Sequence, residues 1–549
     1  MRNRREGLAG CWRLTAISRL GFARIWIGCS LWFLVVSALS TSASDQHIYR
    51  SKFKSGADRQ YWSDARSFSP PDKRTRLLGP FRRDESTTLT LTDLPRHKMM
   101  RLQAKLYVLD TADGTLPDQH DDWSINIVGG PCLLHTSFDN RWSIKNRSDV
   151  DPAGRGQAYP DEVGGALHPG RTGAIKLRAL GFNGNQAHAI SGFSYAVEYS
   201  VQLVFRRPET GELALRFGGS FTGLPDEAWA LGDVSVTGII AVPVEADEEI
   251  FEWTWQDLRN ANPIQANSAA NLFLQTGDAG LEYVLSRLAT EGVGISNEQK
   301  AALKERFAAA LTKLQSDKFV DRIEATQTLS DLGVPVIPLI EAELASPELD
   351  PDTSGRLLGV LKRLGQPPKR GEVKRLEKLA RSRIKRLLRV ANTEASTSAL
   401  KKLIERDRGT SQAMIPVVML AKDAKVIGGR EPGFALNAER AAYANWSRTD
   451  DSLYWFPETI AAGEYEVVVE LASGDGVGGD QFEVFIAGEL LHAMVPDSDA
   501  ASALRFQKRS VGKVLITNDA RHQLFVRPIN IRGECLMELK RVELIPVAN

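Results

Sequence analysis

Trp446, Tyr454 and Trp455 set three aromatic rings in one short stretch, with Asn445, Asp450 and Asp451 among them. Rings of this kind stack on the apolar C–H face of a pyranose while neighbouring amide and carboxylate groups bond its hydroxyls, so the six residues are a candidate carbohydrate-binding set. The plainer reading is that Trp446 or Trp455 belongs to a hydrophobic core. Neighbours on a strand face opposite sides, so Tyr454 and Trp455 cannot both enter the same core. A second set is acidic. Asp110, Asp113, Asp121 and Asp122 crowd one loop region, and hard oxygen ligands in a loop suit calcium. Asp also favours turns for local reasons, and the spacing is not that of an EF-hand.

Other chemistries find no support. Gly474, Gly476 and Gly479 satisfy the dinucleotide fingerprint in spacing, but a strand pattern follows where a helix is required. There is no nucleophile elbow, paired-histidine metal motif, phosphate loop or haem-attachment motif. His120 and His135 have no clustered His or Cys around them. A glycosidase carboxylate pair has no fixed sequence spacing, so a polysaccharide lyase or glycosidase site in the first β-rich segment stays open as an alternative.

The chain has 549 residues and a net charge of +1, which predicts several domains and gives no overall attraction for nucleic acid or membrane. Arginines up to Arg24, an apolar run over 25–39 and small residues ending at Ala43 predict a signal peptide over 1–43 and an exported protein. The run is shorter than a bilayer core requires, so membrane contact is expected only if this segment is retained. Outside it only Cys132 and Cys535 remain, both read as small hydrophobes.

These residues must be positioned by three kinds of segment. From 46–243 apolar residues alternate with period two between Gly, Asp and Pro turns, predicting a β-sandwich or jelly roll. After the acidic stretch 245–249 the period becomes 3.6, and helices are expected over 249–410. Residues 369–408 hold fourteen Lys or Arg against five Asp or Glu; a solvated helix face and a contact for an anionic polymer are both compatible with that count. From 412–549 the period returns to two, as in the runs 465–471, 481–486 and 522–528.

Each segment also resembles a known module. Tyr61-Trp62-Ser63, Leu106 to Asp110 with Asp113-Gly114, Asp122-Trp123-Ser124, Leu133 to Phe138 and the closing Asp226-Glu227-Ala228-Trp229-Ala230-Leu231-Gly232-Asp233-Val234 resemble secreted bacterial lectin-like sandwiches; Gly232 interrupts the usual closing pattern. Leu314, Phe319, Arg322, Ala325, Leu329, Leu332 and Gly333 resemble a HEAT-like repeat, in which stacked helix pairs form an α-solenoid. Asn445-Trp446, Tyr454-Trp455, Ala462 to Val467, Gly488, Val511-Gly512, Arg527-Pro528 and Arg541 to Pro546 are similar to galactose-binding-like jelly rolls, including carbohydrate-binding modules of families 6 and 35. The paired glutamates that hold a structural calcium in those modules have no clear counterpart near Leu420.

Together these patterns and resemblances imply an exported, non-catalytic binding or scaffold protein for a polysaccharide or glycoprotein, with the helices as spacer or protein-binding surface. A cell-envelope component that binds only proteins is the third reading.

Overall fold

Alternation is realised literally in the first β-rich segment. Strand Ser86–Leu91 turns Thr87, Leu89 and Leu91 inward and its other side chains outward. Long strands Met99–Leu109, Ala196–Arg206 and Ala228–Ile239 build the centre of an antiparallel seven-stranded sheet. Strands Ser86–Leu91, Leu213–Phe221, Asp121–Ile127 and Cys132–Ser137 form a four-stranded sheet that packs on it. Leu102, Leu106 and Val108 meet Trp123, Ile125 and Phe217 across the gap. Trp229 lies between the sheets, with Phe81 stacked on it at 4.5 Å and Trp123 edge-on at 5.9 Å. Trp62, Trp123 and Trp229 are thus core residues. The computed structural model describes residues 45–95, 97–115, 121–140, 156–182, 193–221, 227–239, 248–260, 262–290, 297–316, 318–332, 336–346, 349–363, 372–408, 414–427, 434–473, 479–497 and 505–547, and the expected signal peptide falls outside them. Among the described residues no helix is long and apolar enough to cross a membrane.

The last segment is a second sandwich, of a six-stranded and a five-stranded antiparallel sheet. Val467, Val469 and Leu471 of strand Gly463–Ala472 face Phe482, Val484 and Ile486 of strand Gln481–Ile486 in its core.

The helices among the described residues are α1 (Glu248–Asp257), α2 (Pro263–Gln275), α3 (Asp278–Thr290), α4 (Asn297–Leu314), α5 (Phe319–Asp331), α6 (Ile337–Leu344), α7 (Pro351–Arg363), α8 (Glu372–Ala391) and α9 (Glu394–Arg408). Their apolar faces divide between two cores. Phe251, Phe273, Val284, Ile384, Leu388 and Leu400 join the core of the first sandwich, while Leu314, Ala325, Leu329, Ile340, Leu357 and Val360 of α4 to α7 form their own. Phe319, one of the residues that carry the HEAT-like resemblance, opens α5 and is 68% exposed; at six residues from Ala325 it falls on a different face of the helix.

The two sandwiches are not held apart by the helices, contrary to the expected spacer. Outward residues of the four-stranded sheet contact outward residues of the five-stranded sheet. Arg216 donates to Glu483 at 2.7 Å, and Arg527 donates to Glu483, to the Asp84 carbonyl and to Ser86 Oγ. Asn126 donates to the Gly488 carbonyl, and Ser220 to Gln523. Gly488 has φ +86° and a Cβ there would lie 2.8 Å from His135 Cβ, so this approach depends on glycine. Strand Asp121–Ile127 is consequently buried on both faces.

Helix α8 overturns the solvated-face reading of the basic segment for its second half. Arg383 holds both oxygens of Asp161, at 2.8 and 2.9 Å, and donates to the carbonyls of Leu258 and Asn260. Lys385 donates to the Thr517 carbonyl at 2.8 Å, Arg386 to Asn267 at 3.1 Å, and Arg389 to the Cys132 carbonyl and Glu162. All four cations are buried. A buried charge must be paired, and these pairs join the first sandwich, the helices and the second sandwich.

A polar cleft where three segments meet

The candidate sugar platform is closed. Trp446 is 0% exposed; its ring packs beside Phe434 and its indole N–H donates to the Asp451 carbonyl at 2.9 Å. Trp455, at 4% exposed, points into the same core and donates to the Leu420 carbonyl at 2.8 Å. Tyr454 faces the other way, as strand geometry demands, yet is only 8% exposed. It joins Ile427, Phe485 and Phe525 in a separate apolar cluster on the outer side of the five-stranded sheet. The inference that the two neighbours avoid a common core is correct; what it misses is that the opposite face is covered as well. Asn445 and Asp450 are exposed, with Asp450 held by Arg448 at 2.6 Å, while Asp451 is buried. None of Trp446, Tyr454 and Trp455 leaves a ring face open beside them for a pyranose.

The acidic loop divides in the same way. Asp113 and Asp121 meet Glu227, with carboxylate oxygens all within 4.8 Å of one another. This oxygen-only set suits a hard cation. Asp110 and Asp122 stand apart from it. Asp110 Oδ1 accepts from the backbone N–H groups of Ser194 and Tyr195 at 2.7 and 2.9 Å, and Asp122 bonds His135 Nε2 at 3.0 Å.

A cleft of about 280 Å³ opens where α8, α9, the first sandwich and the second sandwich converge. Gly164 brings the first sandwich to it, with φ +85° and room for no Cβ beside Asn518. Arg381 and Lys385, one turn apart on α8, bracket Asp407 of α9 at 3.1 and 3.0 Å. From the second sandwich, Asp519 accepts the Ala462 N–H at 2.7 Å and Asn518 lies beside it. Lys378, Glu377 and Arg408 complete the charged lining. Cations, carboxylates and an amide therefore converge on one open space. Such a lining offers paired donors and acceptors, the pattern that vicinal hydroxyls require.

None of Arg381, Asp407, Asn518 and Asp519 stands out as a site residue in the sequence. For Arg381 and Asp407 the one signal is the charge count over 369–408, which does not distinguish inward cations from those at the cleft; Asn518 and Asp519 lie outside that stretch and carry no such signal.

Cys132 and Cys535 are both free. Burial pushes the Cys132 thiol up to about 12, against the pull of Arg389, so it is inert at neutral pH.

No family profile matches the chain, and no curated protein matches it. Among solved structures, a GH26-CBM35 β-(1,4)-mannanase from Podospora anserina is 15% identical over 25% of this chain and 29% of its own, with a TM-score of 0.19. This chain thus spans under a third of that enzyme. A family 35 carbohydrate-binding module from Clostridium thermocellum is 11% identical over 24% of this chain and 99% of its own, also with a TM-score of 0.19. The CBM35 from Cellvibrio japonicus Abf62 is 12% identical over 24% and 95%, again with a TM-score of 0.19.

Proposed function

We propose that the chain is an exported, non-catalytic carbohydrate-recognition protein that binds through the junction cleft, and not through the aromatic residues of its last sandwich. The observation that carries this reading is the commitment of the cleft carboxylates. Asp407 is fixed between two cations and Asp519 by a backbone N–H, so each serves as an oriented acceptor for a hydroxyl. Preorganised polar groups of this kind bind without adding an ordering cost. The resemblance of the last segment to galactose-binding-like jelly rolls supports the same ligand class. Calcium, in this proposal, belongs to Asp113, Asp121 and Glu227.

The test is a glycan array followed by calorimetry on the full chain. Arg381→Ala and Asp519→Ala are each expected to weaken a bound glycan about tenfold or more, the scale of one charge-assisted hydrogen bond. Trp446→Phe, which keeps the core filled, is expected to leave affinity unchanged. Absence of binding to every glycan would favour the protein-only envelope role, and cleavage of a bound glycan would favour the lyase or glycosidase alternative.

A further inference from the structure

A second cavity, of about 120 Å³, lies in the first sandwich. Buried Phe53, Trp62 and Leu78 back it; Lys54, Arg59 and Arg76 give it three cations, and Asp58 is its one acid, so the lining carries a net positive charge. Asp58 Oδ2 accepts the Ser51 hydroxyl. Among the described residues none of the three cations has a carboxylate partner. Among the described residues Arg76 has the neutral Ser67 hydroxyl, at 3.1 Å from its Nε.

The backbone is shaped to this end. Phe53 takes φ 57°, a left-handed conformation that a bulky side chain rarely adopts. The Ser51 hydroxyl oxygen holds its N–H at 2.9 Å, and its ring packs 5.7 Å from Trp62. Trp62 is fixed in turn, its indole N–H donating to Tyr49 Oη at 2.8 Å. The short 3₁₀ segment Gly56–Tyr61 then brings Asp58 and Arg59 to the cavity. Ser51 therefore does two things: it holds the left-handed Phe53 and it orients the Asp58 carboxylate.

We propose that this cavity is an anion site, taking the carboxylate or sulfate of a small ligand on Lys54, Arg59 and Arg76. Three cations against one acid leave the lining with a net positive charge, so it favours a negative group, and a neutral sugar would leave that charge uncompensated. The anion preference stands apart from the junction cleft; that a sugar carries the anion rests on the carbohydrate reading.

Calorimetry on the full chain with galacturonate, galactose 6-sulfate, galactose and inorganic sulfate tests it. At least one of the two acidic sugars should bind about tenfold more tightly than galactose, and Arg59→Ala and Arg76→Ala should each remove about that factor. Which acid responds distinguishes carboxylate from sulfate. Arg59 and Lys54 are exposed, so Arg59→Ala and Lys54→Glu should leave the ligand-free melting temperature unchanged while weakening binding. Arg381→Ala should weaken neither acid; if it does, the acid lies in the junction cleft and the assignment fails. Galactose binding as well as either acid, insensitivity to both Arg59→Ala and Lys54→Glu, or binding of inorganic sulfate alone would also overturn it.

Discussion

Asp161→Asn tests whether α8 joins the segments into one cooperative body. The carboxylate accepts from Arg383 Nε and Nη2 at 2.8 and 2.9 Å and bonds His168 Nε2 at 2.8 Å. Burial alone would raise its pKa; the Arg383 guanidinium and His168 outweigh that and hold it at about 2, against an ordinary 3.8. That displacement corresponds to about 2 kcal/mol of stability. Because the folded value is the lower one, the contribution is complete above about pH 4 and fades as pH falls towards 2. Asparagine also leaves Arg383 buried without its counter-charge, so the total loss should reach about 3–5 kcal/mol. For the unit spanning Gln46–Asn549, an unfolding entropy of about 2 cal/mol/K per residue converts this to roughly 3–5 °C. Scanning calorimetry at pH 7 should show one transition in the parent and a lower one in the variant, with the difference shrinking at pH 2. A variant melting within 1 °C of the parent, or a parent with separate transitions for its segments, would refute the reasoning.

Other consequences follow from the same contacts. Residues 414–549 expressed alone should expose Phe485, Phe525 and Tyr454, and therefore bind a hydrophobic dye and self-associate, which sedimentation and dye fluorescence would detect; a monomeric, dye-silent fragment would contradict the interface. Arg216→Ala should leave buried Glu483 with Arg527 as its remaining close cation and lower the melting temperature measurably, whereas exposed Arg448→Ala should leave the melting temperature unchanged. Calcium should raise the melting temperature of chelator-treated protein, and Asp121→Asn should abolish that rise while Asp110→Asn should not, because only Asp121 belongs to the carboxylate trio.

Element type was legible wherever one period dominated. The alternation over 465–471 falls inside strand Gly463–Ala472, and the change to period 3.6 after 245–249 coincides with α1. What each polar face meets was not legible. Asp122, Ser124 and Asn126 alternate with Trp123, Ile125 and Ile127, the pattern of a sheet with one wet face. In the fold that polar face lies under the second sandwich. A period of two reports that the faces differ, and it carries no information on whether the polar one touches water or another domain.

The same ambiguity explains why the aromatic site was misplaced and the cleft overlooked. A ring on the outer face of a sheet reads as a ligand platform only if that face is free, and Tyr454 occupies a face whose neighbours Phe485 and Phe525 already bear on the first sandwich. The basic run of α8 carries the complementary error. Buried cations need partners that sit far away in sequence, and Arg383 finds Asp161 at a separation of 222 residues, so no local pattern predicts which arginines turn inward. Once Arg383, Lys385, Arg386 and Arg389 are assigned to the joint, the α8 cations left at its open side are Arg381 and Lys378, and those border the cleft, with buried Lys385 at its inner edge. The helix that fixes the segments together thereby also lines the proposed binding cleft. A substitution that loosens its buried pairs should lower glycan affinity through the geometry of the cleft, even when it touches no residue of the lining.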